Sequence, residues 1–317
     1  MRLRTFSIWV LVLVLPVLAV SAHADILGAA APYAVIGGSG VTNAGAGVLG
    51  ATSVTGSVAA LAANSCTGFF LCDGGPGLIF GGTAQVANAT ALGVEGVGGA
   101  DTAELALLAS GPATDLTGLT LGVGLQASLA PGVYSFSSTA ALSNTLTLAG
   151  GGNAAPVWIF QIGSGLTTDS LSHVVVTGTG AASAGVYWVI GTGGQTGGAT
   201  LGQDSTFQGN IFADSFVTLQ PGAQITCGRA FADTLVHFDG MSPAPNENVV
   251  NSDLCASGSP NGNNNGVITP GGGVGPGTPV PEPGTLALLS SGLAIGLLMY
   301  RKLSAAKCAV VNSTTTA

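Results

Sequence analysis

Five aspartates, Asp169, Asp204, Asp214, Asp233 and Asp239, are the residues that could pair for acid–base chemistry in this chain. Paired carboxylates are what glycoside hydrolysis requires, and a polysaccharide lyase needs a basic group as well. Bases are scarce. Between residues 25 and 280 the only Lys or Arg is Arg229, against thirteen Asp and Glu (the chain's fourteen less Glu282), a difference of −12. Aromatics that could stack on sugars are few and lie mostly inside apparent strands. The expectation is therefore no enzyme, with no catalytic residue and no cofactor. Nucleic acid is not expected either, because its phosphates demand the basic side chains this chain lacks. His173 and His237 neighbour no cysteine, so no metal site is expected.

A different constellation recurs. Ile36-Gly37-Gly38-Ser39, Ile162-Gly163-Ser164, Ile190-Gly191-Thr192, Phe212-Ala213-Asp214-Ser215 and Phe231-Ala232-Asp233-Thr234 each place a large apolar residue before Gly or Ala, then Ser or Thr one or two places on. If the apolar member points inward, the period-two alternation of a strand turns the small residue outward. Stacked, Ser39, Ser164, Thr192, Ala213, Ser215, Ala232 and Thr234 would form a ladder of methyl and hydroxyl groups. The plain alternative is a solvated corner, since Ser, Thr and Gly are common turn residues. Asp214 and Asp233 fit the ladder poorly unless they cap a corner.

The elements that must hold such a ladder are legible around a near repeat. Residues 209–218 and 228–237 match at Gly, Phe, Ala, Asp and Val with an offset of 19 residues. A unit this short buries its apolar face by stacking on its neighbours. Nineteen residues accommodate three short strands and three corners. Strand-like runs recur at Val133–Phe136, Leu146–Leu148, Val157–Ile162, His173–Val176, Val186–Ile190, Phe216–Leu219 and Leu235–Phe238, with Gly-, Ser- and Asn-rich turns between them. The expected fold is mainly β: a three-sided right-handed β-solenoid with a flanking α-helix, spanning residues 25–240.

In chain order, Met1–Arg4, the apolar Phe6–Val20 and Ala22-His23-Ala24 read as a secretory signal over residues 1–24. Export makes disulfides reasonable, and Cys66 could pair with Cys72, and Cys227 with Cys255, leaving Cys308 over. Residues 26–58 read as a first coil and 59–82 as an irregular insertion. Residues 83–110 have helical character, strongest at Ala100–Ala109; four glycines at 93, 96, 98 and 99 make two short helices as reasonable as one. Residues 241–279 are an Asn-, Gly- and Pro-rich linker.

Val280-Pro281-Glu282-Pro283-Gly284-Thr285, the apolar Leu286–Tyr300 and Arg301-Lys302 then follow, ahead of a tail at 303–317. These three parts in this order resemble the PEP-CTERM sorting signal of bacterial exosortase systems. The resemblance implies export in a Gram-negative-type bacterium, transient membrane contact through 286–300, and cleavage near Pro281, Glu282 and Pro283 by an exosortase-type enzyme. The tail beyond Lys302 is longer than such signals usually carry.

The solenoid also resembles a family. Tyr33-Ala34-Val35-Ile36-Gly37-Gly38, Asp115-Leu116-Thr117-Gly118-Leu119, Leu129-Ala130-Pro131-Gly132-Val133-Tyr134, Val157-Trp158-Ile159-Phe160-Gln161-Ile162 and Gly228-Arg229-Ala230-Phe231-Ala232 occur in this order. They are similar to the bacterial and fungal ice-binding β-solenoids, whose coils carry a helix alongside. Departures are the cysteine-bounded insertion and the glycine-broken helix. The family's Thr-(Ala/Gly)-x-(Thr/Asn) motif is found at Thr117–Thr120, ahead of the expected coils. The resemblance implies a secreted or cell-surface protein that binds ice through the small-residue ladder. The alternative is a non-enzymatic structural or adhesive protein of an exopolysaccharide matrix, with that polysaccharide as its partner.

Overall fold

A computed structural model describes residues 26–45, 49–88, 100–111, 113–181, 184–192, 196–240 and 247–252. The leader, the sorting segment, the tail and most of the linker lie outside these residues. The described chain winds into coils of short parallel strands, each coil contributing one strand to each of three faces. Face a contains Thr114–Asp115, Gly132–Phe136, Val157–Ile162, Gly185–Ile190, Tyr33–Gly37, Ser57–Ala60 and Ala84–Val86. Face b contains Thr120–Leu121, Ala140–Leu142, Gly165–Thr168, Gly198–Leu201, Phe216–Leu219, Leu235–Phe238, Gly40–Asn43 and Cys66–Thr67. Face c contains Ser128–Leu129, Thr145–Ala149, His173–Thr177, Asn248–Asn251, Thr52–Thr55 and Leu78–Phe80. The long strands Thr206–Ala213 and Gln224–Ala232 run from face c round the corner into face a.

The 19-residue offset is one turn of the solenoid. Gly209 pairs with Gly228, Ala213 with Ala232, and Phe216–Leu219 with Leu235–Phe238. The shared glycine has a steric cause. Gly209 and Gly228 take positive φ at the corner, and a Cβ on Gly228 would lie 2.0 Å from the carbonyl oxygen of Gly209. No other residue can turn there.

Chain order and stacking order differ. The expected first coil stacks on the last one: Val35 pairs with Ala230, Gly37 with Ala232, and Gly40–Asn43 with Leu235–Phe238. Residues 59–82 are not an irregular insertion, because Ser57–Ala60, Cys66–Thr67 and Leu78–Phe80 make a further coil beyond it. The Cys66–Cys72 bridge closes a loop there, carrying the one-turn helix α1 (Phe70–Asp73). Cys227 is also disulfide-bonded; Cys255 lies outside the described residues. The body extends past residue 240, since Asn248–Asn251 supplies the third side of the coil begun at Arg229.

Two cores result. The interior holds an aromatic file, Tyr134, Phe160, Trp188 and Phe207, with successive centroids 5.5, 3.9 and 4.9 Å apart. The outer surface of face a is apolar as well, with Val133, Ile159, Tyr187, Val189, Phe212 and Phe231 all buried. Helix α2 (Ala100–Leu108) covers it with Ala100, Ala103 and Leu107, and Leu27 and Ala30 extend the cover. Gln161 Nε2 donates to the carbonyls of Leu107 and Leu108 at 3.1 and 3.2 Å, which satisfies the end of α2. Among the described residues no helix is long and apolar enough to cross a membrane.

Candidate functional site

With face a covered, the outward surfaces of faces b and c remain, and face b is the more regular. Its strands alternate buried and accessible residues: Leu166, Leu201, Val217 and Leu219 point in, and Thr167, Thr200 and Thr218 point out. The ladder pairings join Thr120, Ala141, Thr167, Thr200, Thr218, His237, Thr42 and Thr67 into one file. Six of the eight are threonine. Strand spacing sets a rise of about 4.8 Å per step, so the file is about 34 Å long. On the eight strands of face b, His237 is the only side chain besides the bridged Cys66 that can ionise.

Beside the file runs a corner of hydroxyls. The amide of Ser164 donates to Ser138 O, that of Ser215 to Gly197 O, that of Thr234 to Ser215 O, and that of Ser39 to Thr234 O. Four expected positions, Ser39, Ser164, Ser215 and Thr234, are therefore brought into line. Thr192 is not, because Gly197 fills the place between Ser164 and Ser215.

Ala213 and Ala232 are also misplaced by the sequence reading. Both are buried in the interior, at 2% and 4% exposure. Ile190 pairs with Ala213, and Ala213 with Ala232, so Ile162, Ile190, Ala213 and Ala232 share the inward row. Ile36, Phe212 and Phe231 instead face outward, under the helix. Ile162 and Ile190 stand one residue out of register with Ile36, Phe212 and Phe231, and a one-residue slip exchanges the faces of a strand. Face a is apolar on both sides, so its alternation could not reveal the slip.

The missed file had a signal. Thr117–Thr120 does not precede the coils: Thr120 opens the file on the end coil. The same four-residue unit recurs in weaker form as Ser164-Gly165-Leu166-Thr167, Gly197-Gly198-Ala199-Thr200, Ser215-Phe216-Val217-Thr218, Thr234-Leu235-Val236-His237 and Ser39-Gly40-Val41-Thr42. Its first position is the corner and its fourth is the file.

The acidic residues divide between corners. Asp214 and Asp233 sit between faces a and b, toward Glu104 of α2. Burial first, then the charges of Asp214 and Asp233, the hydrogen bond to Asp214 and the charge of Asp101 push Glu104 up to about 8. Burial also raises Asp214, against the lowering effect of its hydrogen bond with Glu104. Asp233 is raised by burial, then by Asp101 and Asp214. Burial and the neighbouring carboxylates thus favour a proton shared within this cluster. Asp169 and Asp239 follow equivalent strands of face b three coils apart, which is about 14 Å. Asp169 accepts from Ser143 Oγ, and Asp239 binds His237. Among the described residues no group of His, Cys, Asp and Glu could hold a metal.

Comparison with known proteins gives this arrangement a family. The model described as "Ice-binding-like" matches residues 35–242, and that of the PEP-CTERM protein-sorting motif matches 279–302. The chain is 37% identical over 300 residues to an ice-binding protein of Nostoc sp. (strain HG1), covering 89% of this chain and 88% of that one. It is 30% identical over 221 residues to an ice-binding protein of Flavobacterium frigoris (strain PS1), covering 66% and 72%. The crystal structure of an ice-binding protein from the Antarctic ascomycete Antarctomyces psychrotrophicus superposes with a TM-score of 0.58 at 31% identity, over 71% of this chain and 96% of that one. Fold, family model and relatives agree: the chain belongs to the ice-binding-like family and carries a PEP-CTERM protein-sorting motif.

Proposed function

We propose that this protein binds ice through face b, outside the cell, and is not an enzyme. The threonine file of Thr120, Thr167, Thr200, Thr218, Thr42 and Thr67 carries the reading. Each threonine offers one methyl and one hydroxyl, repeated at about 4.8 Å on a backbone that cannot shift. Such a surface can hold water in a regular array without rearranging first, and binding that needs no ordering step loses little entropy. Nearly charge-free strands suit the task, because ions impose hydration shells of their own. Ser39, Ser164, Ser215 and Thr234 form the edge of the contact. The names of the Nostoc and Flavobacterium relatives support this reading.

Export completes the proposal. Residues 1–24 act as a signal peptide of a Gram-negative-type bacterium. An exosortase-type enzyme cuts near Pro281, Glu282 and Pro283, with residues 286–300 in the membrane only until then. Any matrix polysaccharide would be a neighbour and not the principal ligand. The test is thermal hysteresis and ice recrystallisation on purified protein beside Thr218→Tyr. We expect the wild type to inhibit recrystallisation and the variant to lose most of that activity. Its melting temperature should move little, since Thr218 is half-buried on the outer side of its strand and a surface substitution away from the core usually costs no more than about 0.5 kcal/mol. A wild type without ice activity, or a folded variant with full activity, would refute the proposal.

A further inference from the structure

One position in the threonine file is occupied by an ionisable ring tied at both nitrogens. His237 Nδ1 lies 2.6 Å from Thr42 Oγ1, and His237 Nε2 lies 2.8 Å from Asp239 Oδ1. Asp239 follows face b at the next corner, two residues on, and Thr42 is the next member of the file. These partners decide the tautomer. A carboxylate only accepts, so Nε2 carries the hydrogen. Nδ1 then accepts the hydroxyl hydrogen of Thr42, whose lone pairs are left for water. A protonated imidazole donates from both nitrogens, so Thr42 Oγ1 must accept and its hydrogen turns outward.

We infer that Asp239 is a positioning residue that holds His237 in the Thr42-accepting tautomer, so that protonation of His237 reverses the Thr42 hydroxyl and weakens the grip of face b on ice. The inference rests on face b being the ice-contacting surface. Reversal changes a donor–acceptor pattern that is otherwise built into a rigid file, and it places a charge there. Among the described residues, the packed strands Phe216–Leu219 and Gly40–Asn43 contain no ionisable group, and Asp239 is the ionic partner of the ring.

The experiment combines imidazole nitrogen NMR with ice recrystallisation, on the exported protein, at one pH below and one above the His237 midpoint that the NMR defines. Above the midpoint we expect Nε2–H and full activity. Below it we expect the active concentration to rise about fivefold, equivalent to one hydrogen bond of about 1 kcal/mol at 1.4 kcal/mol per tenfold. His237→Thr should remove the pH dependence. Asp239→Ala should shift hydrogen to Nδ1 and lower activity above the midpoint, while Asp239→Asn, which keeps an acceptor oxygen, should restore Nε2–H. An Nδ1–H tautomer in the wild type overturns the inference alone, and so does activity that is flat across the titration. Wild-type protein inactive on ice at both pH values overturns the functional reading instead, and the pH effect falls with it.

Discussion

At the residue scale, the two alanines of the near repeat separate a surface from an interior. Ala213 and Ala232 stack on Ile190 in the inward row, so neither can touch a ligand. Ala232→Tyr should accordingly behave unlike the same change at Thr218. Forcing a ring into this packed interior costs about 1–3 kcal/mol or more. Urea unfolding should show a lowered midpoint for Ala232→Tyr, and a nearly unchanged one for Thr218→Tyr. Equal midpoints would mean that the row does not face inward. The hydroxyl of each corner residue was visible in the sequence, but the direction of its neighbours was not. Direction depends on pairing, and pairing is a property of two coils at once.

At the element scale, helix α2 is held by apolar contact and by a shared proton. Glu104 is raised from 4.5 to about 8 in the folded protein, chiefly by burial and then by Asp214 and Asp233. Between those values the folded state binds more protons than the unfolded chain. Stability therefore declines as pH rises through that window, and the raised Asp101, Asp214 and Asp233 add to the same trend. The melting temperature should be higher near about pH 5 than near about pH 8, and Glu104→Gln should flatten the slope. A melting temperature that rises over this range would contradict the shared proton. The sequence located α2, since Ala100–Ala109 was its most helical stretch and Ala100–Leu108 is helical. It did not give Gln161 as the partner of the helix end, because that contact joins residues 53 and 54 apart.

At the scale of the molecule, the amino-terminal coils extend the carboxy-terminal end of the stack. Arg229 fastens them: its Nε and Nη2 donate to Ala31 O at 3.2 and 2.8 Å, and Nη1 donates to Asn210 Oδ1 at 3.3 Å. Arg229→Leu should leave these acceptors unpaired at a cost of about 1–3 kcal/mol. Hydrogen exchange should speed first at Val35–Gly37, the strand seated on Arg229 and its neighbours. Uniform exchange behaviour in wild type and variant would remove Arg229 from that role. The threonine file depends on this junction, because Thr42 and Thr67 reach it only through the amino-terminal coils. Mass spectrometry of the cell-surface form should find Leu286–Ala317 missing, and an intact carboxy terminus would refute the sorting proposal.

The amino-acid sequence by itself determined the solenoid, because a 19-residue offset with shared Gly, Phe, Ala, Asp and Val is a local pattern that one turn must satisfy. It also determined the near absence of charge and the short Cys66–Cys72 loop, which depend on composition and on neighbours in the chain. Tertiary structure alone decided which coils touch. Residues 26–58 read equally well as the start of a stack, and only pairing with residues 229–238 places them at its far end. It alone decided the direction of Phe212 and Phe231 as well, since an apolar residue fits the interior and the underside of a helix equally well. The threonine file lies between these cases. Its four-residue unit is in the sequence, but the file exists only where coils far apart in the chain are stacked in register.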